Sequence, residues 1–161
     1  MIATHKPLAA WTAEDLMSRD VKTVSQSMLL QEAARLLARE QIGGAPVVDE
    51  RGRCVGMLSA TDFIRWAEQG SPTVQAQSNA CYCSDWQVVD VELLPADEVC
   101  CYMSPHLVAA APSDSIAQLA RKMLDAHIHR VVVVDGERRP IGIVSTTDIL
   151  AAVADSTAEP F

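Results

Sequence analysis

The stretch GMLSATDFIRW (56–66) decides how this chain folds, because a near-copy, GIVSTTDILAA (142–152), follows it at an offset of 86 residues. Each copy opens as a short apolar strand, turns at a polar corner and continues with helical spacing. Ser-x-x-Asp stands at both corners, as Ser59 with Asp62 and Ser145 with Asp148, and a threonine, Thr61 or Thr147, precedes each aspartate. The pattern is a capping box with Asp in place of the usual Glu. It is also a helix start with free amides, which attracts phosphate. One copy reads as a cap. Two copies in register point to a corner that caps a helix and also meets a ligand.

The repeat extends outward from the corners without a gap. Met17-Ser18 falls on Met103-Ser104, Ala34-Arg35 on Ala120-Arg121, Ile42 on Ile128, and Val47-Val48-Asp49 on Val133-Val134-Asp135. In the first copy Thr12 and Asp15 cap a short lead-in helix, with Trp11 and Leu16 as its staple. An extended segment follows at 20–25. Ser27 is the expected N-cap of a long helix with Leu30, Ala33, Ala34 and Leu37 inward, ended by Gly43-Gly44. Strands are predicted at 45–48, where Pro46 at the start suits an edge or a strand entry, and at 54–58. Ser59 opens the last helix, which runs to about Gly70. In the second copy Asp97 is expected to begin a lead-in helix over 97–103. Ser113 is the expected N-cap of a long helix with Ile116, Ala120, Met123 and Leu124 inward. Strands follow at 131–134 and 141–144, then a helix from Ser145 to about Ala154. Each unit has too little core to stand alone, so an α/β fold of two pseudo-twofold-related units packed sheet to sheet is expected. The divisions are a tail (1–12), unit 1 (13–68), a linker (69–96), unit 2 (97–154) and a second tail (155–161).

Composition narrows the function classes. Of 161 residues 49% are hydrophobic and only 4% aromatic, which calls for an aliphatic core. A net charge of −8 argues against coating nucleic acid or docking on an anionic membrane. It leaves room for a small anionic ligand held by a few arginines and helix N-termini. No apolar run is long enough to span a bilayer, and the first residues lack the apolar stretch of a secretion signal. A cytoplasmic location is the expectation.

Strand, helix, strand, turn, strand and a Gly-x-x-Ser-x-x-Asp helix start, all repeated, resemble the CBS domain (named after cystathionine β-synthase), and a tandem pair resembles a Bateman module. GMLSATDF, GIVSTTDI, Ala45-Pro46-Val47-Val48-Asp49 and His129-Arg130 with the following valines carry the resemblance. It implies an adenine nucleotide in the clefts between the units. Asp62 and Asp148 would then accept hydrogen bonds from ribose hydroxyls. Ser59, Thr61, Ser145 and Thr147 would meet phosphate or the ribose edge. Backbone around Gly44, Ala45 and Pro46 and from Arg130 through Val131 to Val132 would line the adenine, and His129-Arg130 would face phosphate. Thr23 matches a threonine of the family's pattern, but its counterpart here is Ala109. Gly43-Gly44 likewise stands where the second copy has His129-Arg130, so the two sites are not equivalent.

The resemblance implies a stand-alone regulatory module and no enzyme. AMP, ADP or ATP is its first expected ligand, and S-adenosylmethionine or a dinucleotide the second. It would act in trans on a partner. Helices beside the corners are expected to expose Phe63, Trp66, Ile149 and Val153 and to form a homodimer. No nucleophile, base and orienter come together in the sequence, and no P-loop or dinucleotide glycine motif is present. Two other classes stay open. One is an interaction protein with empty clefts. The other is a redox or metal sensor using Cys81, Cys83, Cys100 and Cys101, whose spacing suits zinc poorly. Cys54 reads as a core thiol.

Overall fold

Alternating burial along the short apolar runs builds two sheets in the computed structural model, which describes residues 6–69 and 91–157. The first sheet holds β1 (Val24–Ser25), β2 (Gly44–Val48) and β3 (Cys54–Ser59). The second holds β4 (Ala109–Ala110), β5 (Arg130–Val134) and β6 (Pro140–Ser145). The middle strand in each, β2 or β5, pairs parallel with the short strand and antiparallel with the long one. Being central, β2 and β5 are buried at three successive residues, whereas β3 alternates. The helices are α1 (Ala13–Leu16), α2 (Leu30–Glu40), α3 (Ala60–Glu68), α4 (Ile116–Ala126) and α5 (Thr146–Thr157).

Pro46 lies in the middle of the central strand, at neither an edge nor the strand entry, because β2 already begins at Gly44. Met57, its register partner on β3, gives both its N–H and its carbonyl to Ser104, at 3.0 and 2.9 Å. Pro46 and Met57 are therefore a pair without mutual hydrogen bonds. The N–H that proline lacks would point to the β1 side, where pairing is confined to Val47 and Val48. No ladder bond is lost.

One compact unit is continuous in sequence and the other is assembled from both ends of the chain. One comprises residues 22–69 with 91–107, and the other residues 6–21 with 108–157. Each unit thus takes its lead-in from the opposite half of the chain. Ser18 exchanges backbone bonds with Ile143 of β6, at 2.9 and 3.0 Å, and Ser104 does the same with Met57 of β3. Close approach at these two crossings requires glycine nearby. A Cβ on Gly56 would lie 2.6 Å from the Ser104 carbonyl, and one on Gly142 would lie 2.3 Å from Met17 Sδ.

Helix ends depart from the sequence expectations. Ser27 sits in a turn, and the residue before α2 is Leu29. The side-chain cap is replaced by a backbone bond, Leu30 N–H to the Asp97 carbonyl at 2.9 Å. Ser115, not Ser113, caps α4 and exchanges bonds with Gln118. Ile116 N–H reaches the Trp11 carbonyl at 3.0 Å, which repeats the arrangement at α2. Gly43-Gly44 does not end α2. Gln41 turns left-handed there, φ 54°, and His127 does so after α4, φ 53°. Ile42 and Ile128 then bond back to the Leu37 and Met123 carbonyls, at 3.1 and 3.0 Å. These are Schellman closures, and both isoleucines pack on the core beneath.

The two cores are aliphatic. Leu30, Ala33, Ala34 and Leu37 are buried as the helical spacing requires. On α4, Ile116, Leu119 and Met123 point inward, while Leu124 is 67% exposed. The second lead-in is only a 3-10 turn, Val99–Cys101, and Asp97 instead accepts from the Tyr102 hydroxyl at 2.9 Å. Phe63 is buried, so the expectation that it faces solvent is wrong: its place four residues into α3 turns it to the sheet. The exposed apolar residues of the corner helices are Ile64, Leu150 and Val153. From the stretch between the repeats, Leu94 is buried in the first core, and its carbonyl accepts from Gln31 Nε2 at 2.8 Å. No helix among the described residues is long and apolar enough to cross a membrane.

Candidate functional site

Each corner forms because a strand runs directly into a helix. Ser59 and Ser145 end β3 and β6, and the next residue opens α3 or α5. The first helical amide is tied to the entrance of the central strand. Ala60 N–H bonds to the Gly43 carbonyl at 3.0 Å, and Thr146 N–H to the His129 carbonyl at 2.9 Å. Thr146 Oγ1 adds a second bond to His129 at 3.2 Å.

At the first corner Asp62 turns back on Ser59. Its Oδ2 accepts from Ser59 N–H at 2.8 Å and from Ser59 Oγ at 3.3 Å. Its Oδ1 accepts from Ser104 Oγ at 2.9 Å and lies 3.4 Å from Arg65. Asp62 is the buried charged residue among those described, 4% exposed, and four donors offset the cost of placing it there. Thr61 is exposed. Gly44 is the register partner of Ser59, and a Cβ at that position would lie 2.9 Å from the Leu58 carbonyl. Ala45 and Pro46 are fully buried, and Thr23 is half-buried just before β1.

At the second corner Asp148 Oδ2 accepts from Ser145 N–H at 2.7 Å and from Ser145 Oγ at 2.8 Å. Asp148 N–H closes the capping box on Ser145 Oγ at 3.2 Å. Among the described residues no donor reaches Asp148 Oδ1, and the side chain is half-buried. Arg130 is the register partner of Ser145, so both side chains leave the sheet on one face. His129 and Arg130 are exposed, and neither side chain has an ion-pair partner among the described residues; Val131 is buried and Thr147 exposed.

The sequence-predicted residues thus fall into two sets. Thr23, Gly44, Ala45, Pro46, Ser59, Thr61 and Asp62 gather in one unit, and His129, Arg130, Val131, Ser145, Thr147 and Asp148 in the other. Sequence reasoning missed Ser104 and Arg65. The signal for Ser104 was available, since Met-Ser recurs in both lead-ins, but its partner is 42 residues away.

Cys81 and Cys83 lie outside the described residues. Cys100 and Cys101 are exposed, and Cys54 is buried in β3. Desolvation, then the Glu98 carboxylate at 3.6 Å and the Cys101 thiol, hold the Cys100 thiol above its usual range. Such a thiol is a poor nucleophile at neutral pH. Among the described residues no group of three or more His, Cys, Asp or Glu side chains is placed to hold a metal ion.

The family model for the CBS domain matches residues 13–69 and 96–155. The chain is 32% identical to the CBS domain-containing protein YhcV of Bacillus subtilis, over 86% of this chain and 82% of that protein. It is 26% identical to L-aspartate semialdehyde sulfurtransferase of Methanocaldococcus jannaschii over 91% of its own length, and spans 24% of that protein. Among solved structures, the cytosolic domain of the Mg2+ channel MgtE in complex with ATP superimposes with a TM-score of 0.64. That match is 28% identical and covers 87% of this chain and 48% of the other.

Proposed function

The chain belongs to the CBS-domain family, as a tandem pair, and on that premise we propose that it is a regulatory module that binds an adenosine-containing ligand at its Ser-x-x-Asp corners. The observation that carries this reading is the corner itself. A capped helix start, an exposed threonine and a carboxylate turned to the strand end are built twice in one chain. A helix start of this kind favours phosphate, and a carboxylate suits the two hydroxyls of a ribose. The likeness to an ATP-bound structure at 28% identity supports the same ligand class. AMP, ADP or ATP is the first ligand and S-adenosylmethionine the second. The site residues are those gathered at the two corners, with His129 and Arg130 for phosphate.

Binding would act by preferring one conformation of the chain, which a partner protein or a second copy reads. The chain performs no catalysis in this reading and works in the cytoplasm, in trans, as a homodimer. The apolar Ile64, Leu150 and Val153 on the corner helices support a self-association surface. A thermal-shift panel of AMP, ADP, ATP, S-adenosylmethionine and methylthioadenosine tests the proposal. A ligand at about 100 times its Kd should stabilise the protein by about 2.7 kcal/mol. For a chain of this size that is a Tm rise of roughly 5–10 °C. No stabilisation by any of the five compounds would overturn it.

A further inference from the structure

The two corners share a sequence pattern but differ in what their carboxylates already hold. We infer that only the Asp148 corner receives the ligand, one molecule per chain, and that the Asp62 corner is a structural latch holding the second lead-in. The inference rests on the adenosine reading and specifies the site at which it operates.

Asp62 has both oxygens engaged. Ser59 occupies Oδ2, while Ser104 Oγ, at 2.9 Å, and Arg65 occupy Oδ1. Its side chain is 1% exposed. A ribose hydroxyl would have to displace a donor that the backbone fixes in place, because Ser104 is bonded to Met57 through both its N–H and its carbonyl. A cation at position 44 is also excluded, since a side chain there meets the Leu58 carbonyl.

The second corner reverses each of these features. Ser18, the counterpart of Ser104 at the repeat offset, is exposed and makes no side-chain bond to Asp148 among the described residues. Arg65 is replaced by Ala151. Among the described residues no donor occupies Asp148 Oδ1, and Arg130 and His129 stand exposed at the end of the adjoining strand. A carboxylate oxygen available to hydroxyls beside an exposed guanidinium for phosphate matches the polarity a nucleotide presents. The same duplicated motif has been used once for binding and once for fastening a backbone crossing.

Isothermal titration with AMP, with ATP and with adenosine decides the matter, using the full chain and the variants Asp148→Ala, Arg130→Ala and Ser104→Ala, with a melting curve for each. The wild type should bind about one nucleotide per chain. Asp148→Ala should weaken binding at least about tenfold, by loss of charge-assisted hydrogen bonds, and should lower the Tm by about 2–4 °C because it also removes the capping bonds to Ser145. Arg130→Ala should weaken ATP more than it weakens free adenosine. Ser104→Ala should keep the affinity within about twofold and lower the Tm by about 5 °C. Two equivalent sites in the wild type, or undiminished binding in Asp148→Ala, would overturn the inference while leaving the adenosine reading intact. No binding of either nucleotide to the wild type would overturn both. An unchanged Tm in Ser104→Ala would overturn the latch.

Discussion

Replacing Gly56 by alanine should strike the crossing where the second lead-in meets β3. The new Cβ would lie 2.6 Å from the Ser104 carbonyl oxygen and 3.0 Å from Met103 Sδ. The first neighbour is backbone, so no rotamer change relieves the clash, and the two segments must part by nearly an ångström. Overpacking of this kind costs about 1–3 kcal/mol. The separation also weakens the paired bonds between Met57 and Ser104, at 3.0 and 2.9 Å, each worth about 1 kcal/mol. A total near 3 kcal/mol is expected, or a Tm lower by about 6–12 °C for a chain of this length. Urea unfolding and differential scanning calorimetry would measure it. A double-mutant cycle with Ser104→Ala sharpens the reasoning. Alone, Ser104→Ala should cost about 2 kcal/mol, because it removes a donor from a buried carboxylate. Combined with Gly56→Ala, which has already moved Ser104, the two losses should fall short of their sum by about 1 kcal/mol. A Gly56→Ala protein melting within about 2 °C of wild type would refute the argument. Strict additivity of the two substitutions would do the same for the coupling.

Two further predictions concern helix starts. Ser115→Ala should cost about 1 kcal/mol, whereas Ser113→Ala should change stability little, because Ser115 makes the capping bonds and Ser113 is exposed; equal effects in thermal melts would contradict the structure. Asp15 is held down to about 2, first by Lys6 and then by the Thr12 N–H and hydroxyl. Since its folded pKa lies below the ordinary 3.8, its stabilising effect is complete above that value and is lost as pH falls from about 4 to about 2. Lys6→Ala should move the Asp15 carboxyl titration upward in an NMR pH series, and an unmoved titration would rule out Lys6 as the main cause.

Much of the fold was legible because its signals are local. The inward faces of α2 and most of α4 follow from spacing, and both corners follow from Ser-x-x-Asp after an apolar strand. The errors share one cause. Ser27 and Ser113 were reasonable N-caps from composition, but α2 draws its first backbone acceptor from Asp97 and α4 from Trp11, residues far away in sequence. Gly43-Gly44 looked like a helix stop, yet Ile42 and Ile128 anchor the turn well enough for Gln41 and His127 to go left-handed. Pro46 reads as an edge or strand-entry residue because the sequence does not show that β1 is only two residues long or that β2 begins at Gly44.

The candidate site divides along the same line. The 86-residue repeat alone determined that the chain holds two like units, each with a capped corner carrying serine, threonine and aspartate. Those features depend on residues within one turn of each other, so the order of side chains suffices. Tertiary structure alone decided that each lead-in serves the sheet of the opposite half, and that Ser104 engages Asp62 while, among the described residues, Ser18 makes no side-chain bond to Asp148. The two Met-Ser lead-ins read alike in sequence. What separates them is a 2.9 Å hydrogen bond between residues 42 positions apart, and local pattern holds no record of a partner chosen at that distance.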